Sequence, residues 1–207
     1  MTQAWSVRDA RERTQTSRHR ELLDAAARVF GELGYEGTTV AAITAEAGVS
    51  RATLYVYFAS KDEIFHALAE RVRDEFLAAQ EFEATDPDPS AALRVTIHAY
   101  AAAVLAAGPL LRLIDQRGAV DSRVGALAAE INERPLRRFT RYLDRQAAAG
   151  AIAATASHRV VAETIGYALT HGMLARRGAS PAARAAFLDD MVRVSRSLLG
   201  LPTGPGE

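Results

Sequence analysis

The sequence predicts an all-α protein in which a small N-terminal three-helix domain precedes a larger helical domain. Alanine, leucine, arginine and glutamate are abundant, and these residues favour helices. Apolar residues recur at helical spacing along most of the 207 residues, and no segment alternates strongly as a half-buried strand does. The chain is 49% apolar and 24% charged, which is typical of a soluble globular protein.

Composition narrows the classes of function. The chain contains no cysteine, which excludes disulfides, thiolate zinc sites and thiol redox chemistry. We expect no membrane span, because no apolar run looks long enough, and the polar N-terminus lacks the apolar core of a signal peptide. We therefore expect a cytoplasmic protein.

Residues 1–16 are predicted to form a flexible basic arm. Between Arg8 and Arg20, five arginines and His19 oppose only Asp9 and Glu12. The net charge of the chain is zero, so this local excess is what indicates an anionic partner. Such an arm can lie along phosphates or in a minor groove, and the alternative is a disordered terminus that aids solubility.

The first helix is predicted over Ser17–Leu33, because apolar residues recur there with helical periodicity. Gly34 follows where a C-terminal glycine belongs. After the turn YEGTT, Thr38 or Thr39 can cap a short second helix, and Gly48 ends it.

Ser50 caps a third helix that reaches Phe58, with Leu54 and Phe58 on one face. The second and third helices, joined by a tight glycine turn, form a helix-turn-helix within a predicted domain at 17–63. The second helix of such a unit enters the major groove of DNA. The alternative is a helical corner whose tyrosines only complete the packing.

The side chains left outside that small core suit DNA. Arg51 can donate two hydrogen bonds to guanine, and Thr53 can contact a base edge or a thymine methyl. The hydroxyls of Tyr55 and Tyr57 are ordinary phosphate partners. Lys61, at the start of the next helix, can hold a phosphate.

The fourth helix, predicted over residues 61–82, connects the two domains. Ser60 and Glu63 form an S-x-x-E capping box at its start. The segment EATDPDPS at residues 83–90 cannot continue a helix, since it holds two prolines and three acidic residues. We predict a linker there.

The second domain is predicted over residues 64–200, with a tail at 201–207. Its further helices are expected at Ala91–Ala107, Pro109–Arg117, Asp121–Gly150, Ser157–Arg177 and Pro181–Leu199. Pro135 must kink the third of these or begin a new helix there.

Residues 18–65 resemble the DNA-binding domain of the TetR family of bacterial transcriptional regulators. The resemblance is carried by GYEGTT, ITAEAGVS and LYVYFASKDEI, which follow one another in continuous register. It covers the first quarter to third of the chain, and Val56 departs from the family in a position often filled by an aromatic residue.

The resemblance implies DNA contacts by the following residues: Thr38, Thr39, Ser50, Arg51, Ala52, Thr53, Tyr55, Tyr57 and Lys61. Thr38 and Thr39 would contact the DNA backbone. Tyr57 stands where the family often has histidine, and it would take over a phosphate contact. The short side chain of Ala52 leaves base reading to Arg51 and Thr53.

The resemblance also implies that the second domain binds a ligand and dimerises. The last two long helices of each subunit would form a four-helix bundle, with an interface that includes Val161, Ile165, Leu169, Met173, Leu188, Met191, Val192 and Ser195. The alternative is that these apolar stripes pack inside one subunit.

Polar residues on otherwise apolar helices could contact an effector. The candidates are His98, Tyr100, Asp115, Gln116, Asn132, Tyr142, Tyr167 and His171. Each can instead have a local hydrogen-bond partner. A mostly apolar or aromatic small molecule fits best, because no cluster of charges stands out among the candidates. A regulator without an effector is the alternative.

Together these features predict a repressor that binds a palindromic operator as a homodimer and is released by a small molecule. The alternatives are an activator of the same fold, or a ligand-binding or scaffold protein without specific DNA. The sequence has no G-x-S-x-G, G-x-G-x-x-G, Walker or H-E-x-x-H motif, and its five histidines include no i, i+4 pair. We expect neither catalysis nor a cofactor or metal.

Overall fold

The structure is a computed structural model that describes residues 7–79 and 88–202, with side chains from residue 17 onward. The described residues form nine α-helices and no strand, which confirms the all-α prediction. The helices are α1 (Val7–Gly37), α2 (Val40–Ala47), α3 (Arg51–Tyr55), α4 (Lys61–Ala78), α5 (Pro89–Ala107), α6 (Pro109–Gly118), α7 (Ser122–Ala148), α8 (His158–Ala175) and α9 (Pro181–Leu198).

Helix α1 begins ten residues earlier than predicted. Residues 7–16, expected to be a flexible arm, continue the helix, and their arginine, alanine and glutamate content favours that. Residues 1–6 of the predicted arm lie outside the described residues. At the other end Gly34 breaks the helical geometry with φ 70°, so the predicted glycine stop is a kink before a last turn to Gly37.

Three predicted helix ends are confirmed around the turn between α2 and α3. The Thr39 hydroxyl accepts the Ala42 N–H at 3.1 Å. Gly48 ends α2 in the left-handed region with φ 64°. The Ser50 hydroxyl accepts the Thr53 N–H at 3.0 Å. Helix α3 is shorter than predicted and ends at Tyr55 in place of Phe58.

The described residues divide into two compact units. The first holds α1 to α3, the start of α4 and also α6, through residues 109–125. This corrects the predicted boundary at residue 63. Its core packs α1 against α2 and α6, and Phe65 of α4 lies edge-on to Phe30 and Tyr35 with ring centroids 5.0 Å apart in each pair.

The second unit is organised around α5, which packs against α8 and α9. The Asp88 carboxylate caps α5 by accepting the Ser90 N–H at 2.9 Å, and Pro89 occupies the first turn. The linker predicted to residue 90 therefore ends earlier, and residues 80–87 lie outside the described residues. By length and composition alone, helix α5 is long and apolar enough to cross a membrane, contrary to expectation, and within this unit it packs against α8 and α9.

Two further predictions change in this unit. Helix α7 runs through Pro135 as one helix, so no new helix begins there. Leu201 is buried, and Leu199 accepts the Ala153 N–H at 2.9 Å, so the predicted tail is still part of the fold at its first residue. Residues 203–207 lie outside the described residues.

Candidate nucleic-acid interface and ligand cavity

Helix α3 is anchored on one side and open on the other. Leu54 and the following Phe58 are buried, as predicted. The Ser50 hydroxyl caps the helix and also lies 2.9 Å from the Thr53 hydroxyl. Because local hydrogen bonds hold Ser50 and Thr53, the helix is preorganised before it meets a partner.

The open side of α3 carries the predicted base-reading residues. Arg51 and Ala52 are exposed, and Thr53 is half-buried. Tyr55 is 54% exposed and the neighbouring Val56 is 74% exposed. Exposed apolar residues that lie together can mark an interaction site. Val56 was noted from sequence only as a departure from the family pattern.

The half-buried Tyr57 lies near the first helix, and the sequence did not predict this proximity. The His19 ring of α1 lies 4.9 Å from Phe58 and 6.4 Å from Tyr57, measured between ring centroids. The first described side chains of α1 therefore adjoin the end of the recognition helix. The only sequence signal for this was the aromatic character of His19 within the basic segment.

The two threonines before α2 have different environments. Thr39 is exposed, which leaves its hydroxyl proton free for a phosphate while its oxygen caps α2. Thr38 is 1% exposed, and its hydroxyl donates to the Gly34 carbonyl at 2.6 Å. The predicted phosphate contact by the Thr38 side chain is therefore wrong, since that group serves the Gly34 kink.

Lys61 lies in a cluster of charged and aromatic groups. Its ammonium donates to the Tyr35 carbonyl at 3.0 Å and lies 4.5 Å from the centre of the Tyr35 ring. The Arg117 guanidinium of α6 lies 4.3 Å from the same ring and 3.7 Å from Asp62, and the Tyr35 hydroxyl donates to Asp62. Lys61 is half-buried, so one of its donors is occupied and the others can meet a phosphate.

The ionised form of Asp121 is stabilised in the same cluster. The N–H groups of Val124 and Arg123 donate to its carboxylate at 3.3 Å and 3.0 Å, and Arg117 lies 3.5 Å away. These contacts, with the backbone hydrogen bond from Val124 foremost, lower the pKa of Asp121. The start of α7 is thereby tied to α6 within the first unit.

In the second unit a narrow apolar cavity of about 30 Å³ lies among α5, α7 and α8. Its walls include Leu93, Ile97, Tyr100, Phe139, Ile165 and Leu169. Tyr100 contributes a hydroxyl group to this cavity, and that group lies 3.2 Å from the Thr170 hydroxyl. Burial raises the pKa of Tyr100, so this group is a neutral donor at physiological pH.

Tyr100 alone among the predicted effector residues lines this cavity. His98 is exposed, and Asp115 is an exposed residue of α6 in the first unit. Tyr142 is buried with its ring stacked 6.4 Å from Phe139. Tyr167 is 50% exposed, and Nδ1 of the exposed His171 lies 3.0 Å from the Tyr167 carbonyl. None of these five lines the cavity. Helical phase turns His98, Tyr167 and His171 away from it, whereas Tyr142 lies beyond Phe139 along α7 and Asp115 belongs to a helix that does not border it. Gln116 and Asn132 are exposed and likewise do not line it.

The residues predicted at the dimer interface do not face solvent in the single chain. Every member is buried within a single chain: Val161, Ile165, Leu169, Met173, Leu188, Met191, Val192 and Ser195. Two of them, Ile165 and Leu169, line the cavity. Within the single chain these stripes pack inward, as the alternative expects.

Helices α8 and α9 nevertheless present a different face to solvent. On α8 the exposed residues recur every three or four positions: Val160, Thr164, Tyr167, Ala168 and His171. Val194 is half-exposed on α9. This set is called the outer α8–α9 face below.

Residues 22–68 match the family model described as bacterial regulatory proteins, tetR family. Residues 22–68 therefore form a domain of the TetR family. The matched TetR-family segment contains α2 and α3 with both caps and the buried side of α1.

Curated relatives of this TetR-family domain include regulators from several bacteria. The A-factor receptor protein of Streptomyces griseus is 41% identical over 64 residues, 31% of this chain and 22% of that protein. The HTH-type transcriptional repressor Rv1474c of Mycobacterium tuberculosis is 42% identical over 53 residues, 26% of this chain and 28% of that protein. RutR of Escherichia coli, an HTH-type transcriptional regulator, is 32% identical over 84 residues, 41% and 40% of the two chains. The matches thus span well under half of these relatives.

Solved structures extend the likeness of fold to the second unit. A TetR-family regulator from Agrobacterium tumefaciens is 22% identical with a TM-score of 0.71, over 89% of this chain and 98% of that one. PfmR, a TetR-family regulator from Thermus thermophilus, is 24% identical with a TM-score of 0.69, over 83% and 97%. These likenesses establish the TetR fold for most of the chain.

Proposed function

We propose that this TetR-family chain is a cytoplasmic transcriptional repressor that binds a two-fold symmetric operator as a homodimer. The observation that carries the proposal is the capped α3 helix, whose open side holds Arg51 and Tyr55 above a fully buried Leu54. A second copy would supply the second half-site, about one DNA turn (~34 Å) away.

Arg51 is assigned the main base contact. Its side chain is exposed, whereas the Thr53 hydroxyl lies within hydrogen-bond distance of Ser50 and leaves mainly its methyl group for a thymine. The exposed Tyr55 and Val56 would cover apolar sugar and base edges.

Phosphate contacts would fix the register of α3 in the groove. They are assigned to Thr39, Tyr57 and Lys61, each of which has a donor left over from its local hydrogen bonds. Ser50 contributes by capping the helix, and Ala52 by allowing close approach.

The homodimer is assigned to the outer α8–α9 face. Its apolar members Val160, Tyr167 and Val194 are each half-exposed in the single chain. A two-fold contact between such faces would bury them in a four-helix arrangement, and closed two-fold dimers are the commonest assembly.

The effector is proposed to be a small apolar or aromatic molecule that enters the cavity beside Tyr100. A cavity of about 30 Å³ is far below the ~300 Å³ that a small-molecule site needs, so binding must push α5, α7 and α8 apart. The chain passes between the two units at residues 71–72, 108–109 and 125–126, which gives three covalent routes for coupling. Because coupling is reciprocal, operator DNA must weaken effector binding by the same factor.

The test is binding to the DNA immediately upstream of the chain's own gene, at physiological salt with competitor DNA. A footprint over an inverted repeat is expected, with affinity that falls steeply as salt rises. Binding to a different site in a genomic selection would keep the function and move the target. Absence of specific binding anywhere would refute the proposal.

A further inference from the structure

Helix α7 carries a row of arginines along one side of the second unit. Arg134, Arg137, Arg138 and Arg141 recur at i, i+3, i+4 and i+7, which aligns them on one helix face. Together with Leu77, near the end of α4, they line a groove of about 410 Å³. This arginine groove is distinct from the apolar cavity, with which it shares no lining residue.

The three carboxylates nearest in sequence already have partners: Glu130 pairs in part with Arg134 of the groove itself, and Asp144 lies 2.6 Å from Nδ1 of His158. Glu130 lies 3.4 Å from Arg73 and 3.3 Å from Arg134. Glu133 accepts from both terminal nitrogens of Arg159, at 3.0 Å and 3.2 Å. Arg159 foremost, and Arg137 more weakly, hold the pKa of Glu133 below its usual range. The carboxylates on this side of α7 are thus largely paired already.

The remaining arginines keep most of their donors. Arg138 donates to the Leu77 carbonyl at 3.0 Å, which uses one of its five N–H groups and holds it in the groove. Among the side chains of residues 17–79 and 88–202, no carboxylate lies at ion-pair distance from Arg138 or Arg141. Like charges at this spacing repel one another, so an anion in the groove would relieve a cost the free protein bears.

We propose that the arginine groove binds a small polyanion, a phosphate ester or a polycarboxylate with at least two negative charges. Guanidinium groups pair with both kinds of oxyanion in bidentate fashion. Seven residues of helix span about 10 Å, so one ligand can reach from Arg134 to Arg141. The groove volume lies in the range of small-molecule sites, about 300–1,000 Å³.

Calorimetric titration of the full chain with inorganic pyrophosphate and, separately, with citrate tests this at low ionic strength. The groove variant is Arg137→Gln/Arg141→Gln. The control is Arg112→Gln/Arg123→Gln, which removes the same charge from two exposed arginines outside the groove. We expect the groove variant to bind about ten- to a hundredfold more weakly and the control to bind as the native chain does.

The two probes separate the sources of the anion. Tighter binding of pyrophosphate supports a phosphate ester, and tighter binding of citrate supports a polycarboxylate. Thermal melting of each variant without ligand checks the fold. The single Arg141→Gln variant, which changes one exposed side chain, gives an intermediate loss.

Three results would overturn the proposal. The first is no saturable binding of either probe by the native chain. The second is an equal loss of binding in the groove and control variants, which indicates non-specific charge attraction. The third is a groove variant that binds both probes as the native chain does and loses affinity only for duplex DNA. Since the titrations contain no DNA, their outcome is independent of the proposed operator binding.

Discussion

Separate replacement of Thr38 and Thr39 by valine is predicted to affect two different properties. Thr38→Val removes the 2.6 Å bond to the Gly34 carbonyl and leaves a partly buried acceptor without that donor. Such a loss costs about 1–2 kcal/mol of unfolding free energy. With a urea dependence of about 2 kcal/mol per molar, the unfolding midpoint falls by about 0.5–1 M. Operator affinity of the folded variant should stay within about twofold of native.

Thr39→Val is expected to weaken operator binding about tenfold, because it removes the hydroxyl assigned to a phosphate. It also costs about 1 kcal/mol of stability through the lost cap on α2. Thr39→Ser is the matched control, since serine keeps both the cap and the donor. Urea unfolding followed by circular dichroism and fluorescence anisotropy with operator DNA measure the two effects. A folded Thr38→Val protein that loses affinity as Thr39→Val does would refute the assignment of Thr38 to the core.

Three further predictions concern DNA and the dimer. Arg51→Ala should lower operator affinity by about 1–3 kcal/mol and relax the preference at one base position. Lys61→Ala should instead weaken binding to all DNA sequences equally. A binding selection on randomised DNA distinguishes the two effects. Tyr167→Arg on the outer α8–α9 face should shift sedimentation to the monomer, while Val95→Arg, an exposed residue of α5, should leave the dimer intact. Deletion of residues 1–16 should reduce the salt slope by about 0.9 for each phosphate that the protein no longer neutralises, and an unchanged slope would remove that segment from the interface.

The ends of the first helices were predictable because their causes are local. Thr39, Gly48 and Ser50 act within three or four residues, through a side-chain cap or a left-handed backbone. The exposed side of α3 followed from the spacing of Leu54 and Phe58. The motif that resembles the TetR family lies wholly within this local region, and the family match at residues 22–68 bears it out.

The second unit was predictable in outline and not in detail. The helices were expected in the right number and near the right positions, because apolar periodicity marks a helix whatever covers it. The same periodicity does not show which element packs against the apolar face of the helix. Ile165 and Leu169 form an apolar stripe that suits a partner subunit as well as α5, and they face the cavity of their own chain.

Local sequence therefore specified the capped helix α3, its exposed Arg51 and the family that residues 22–68 match, since those features depend on neighbours along the chain. Two features depended on packing between distant segments. These were the membership of α6 in the first unit and the orientation of α8. Each requires contacts between residues that are far apart in sequence or a choice among several apolar faces. Hydrophobic attraction is not directional, so that choice arises only when the helices pack together.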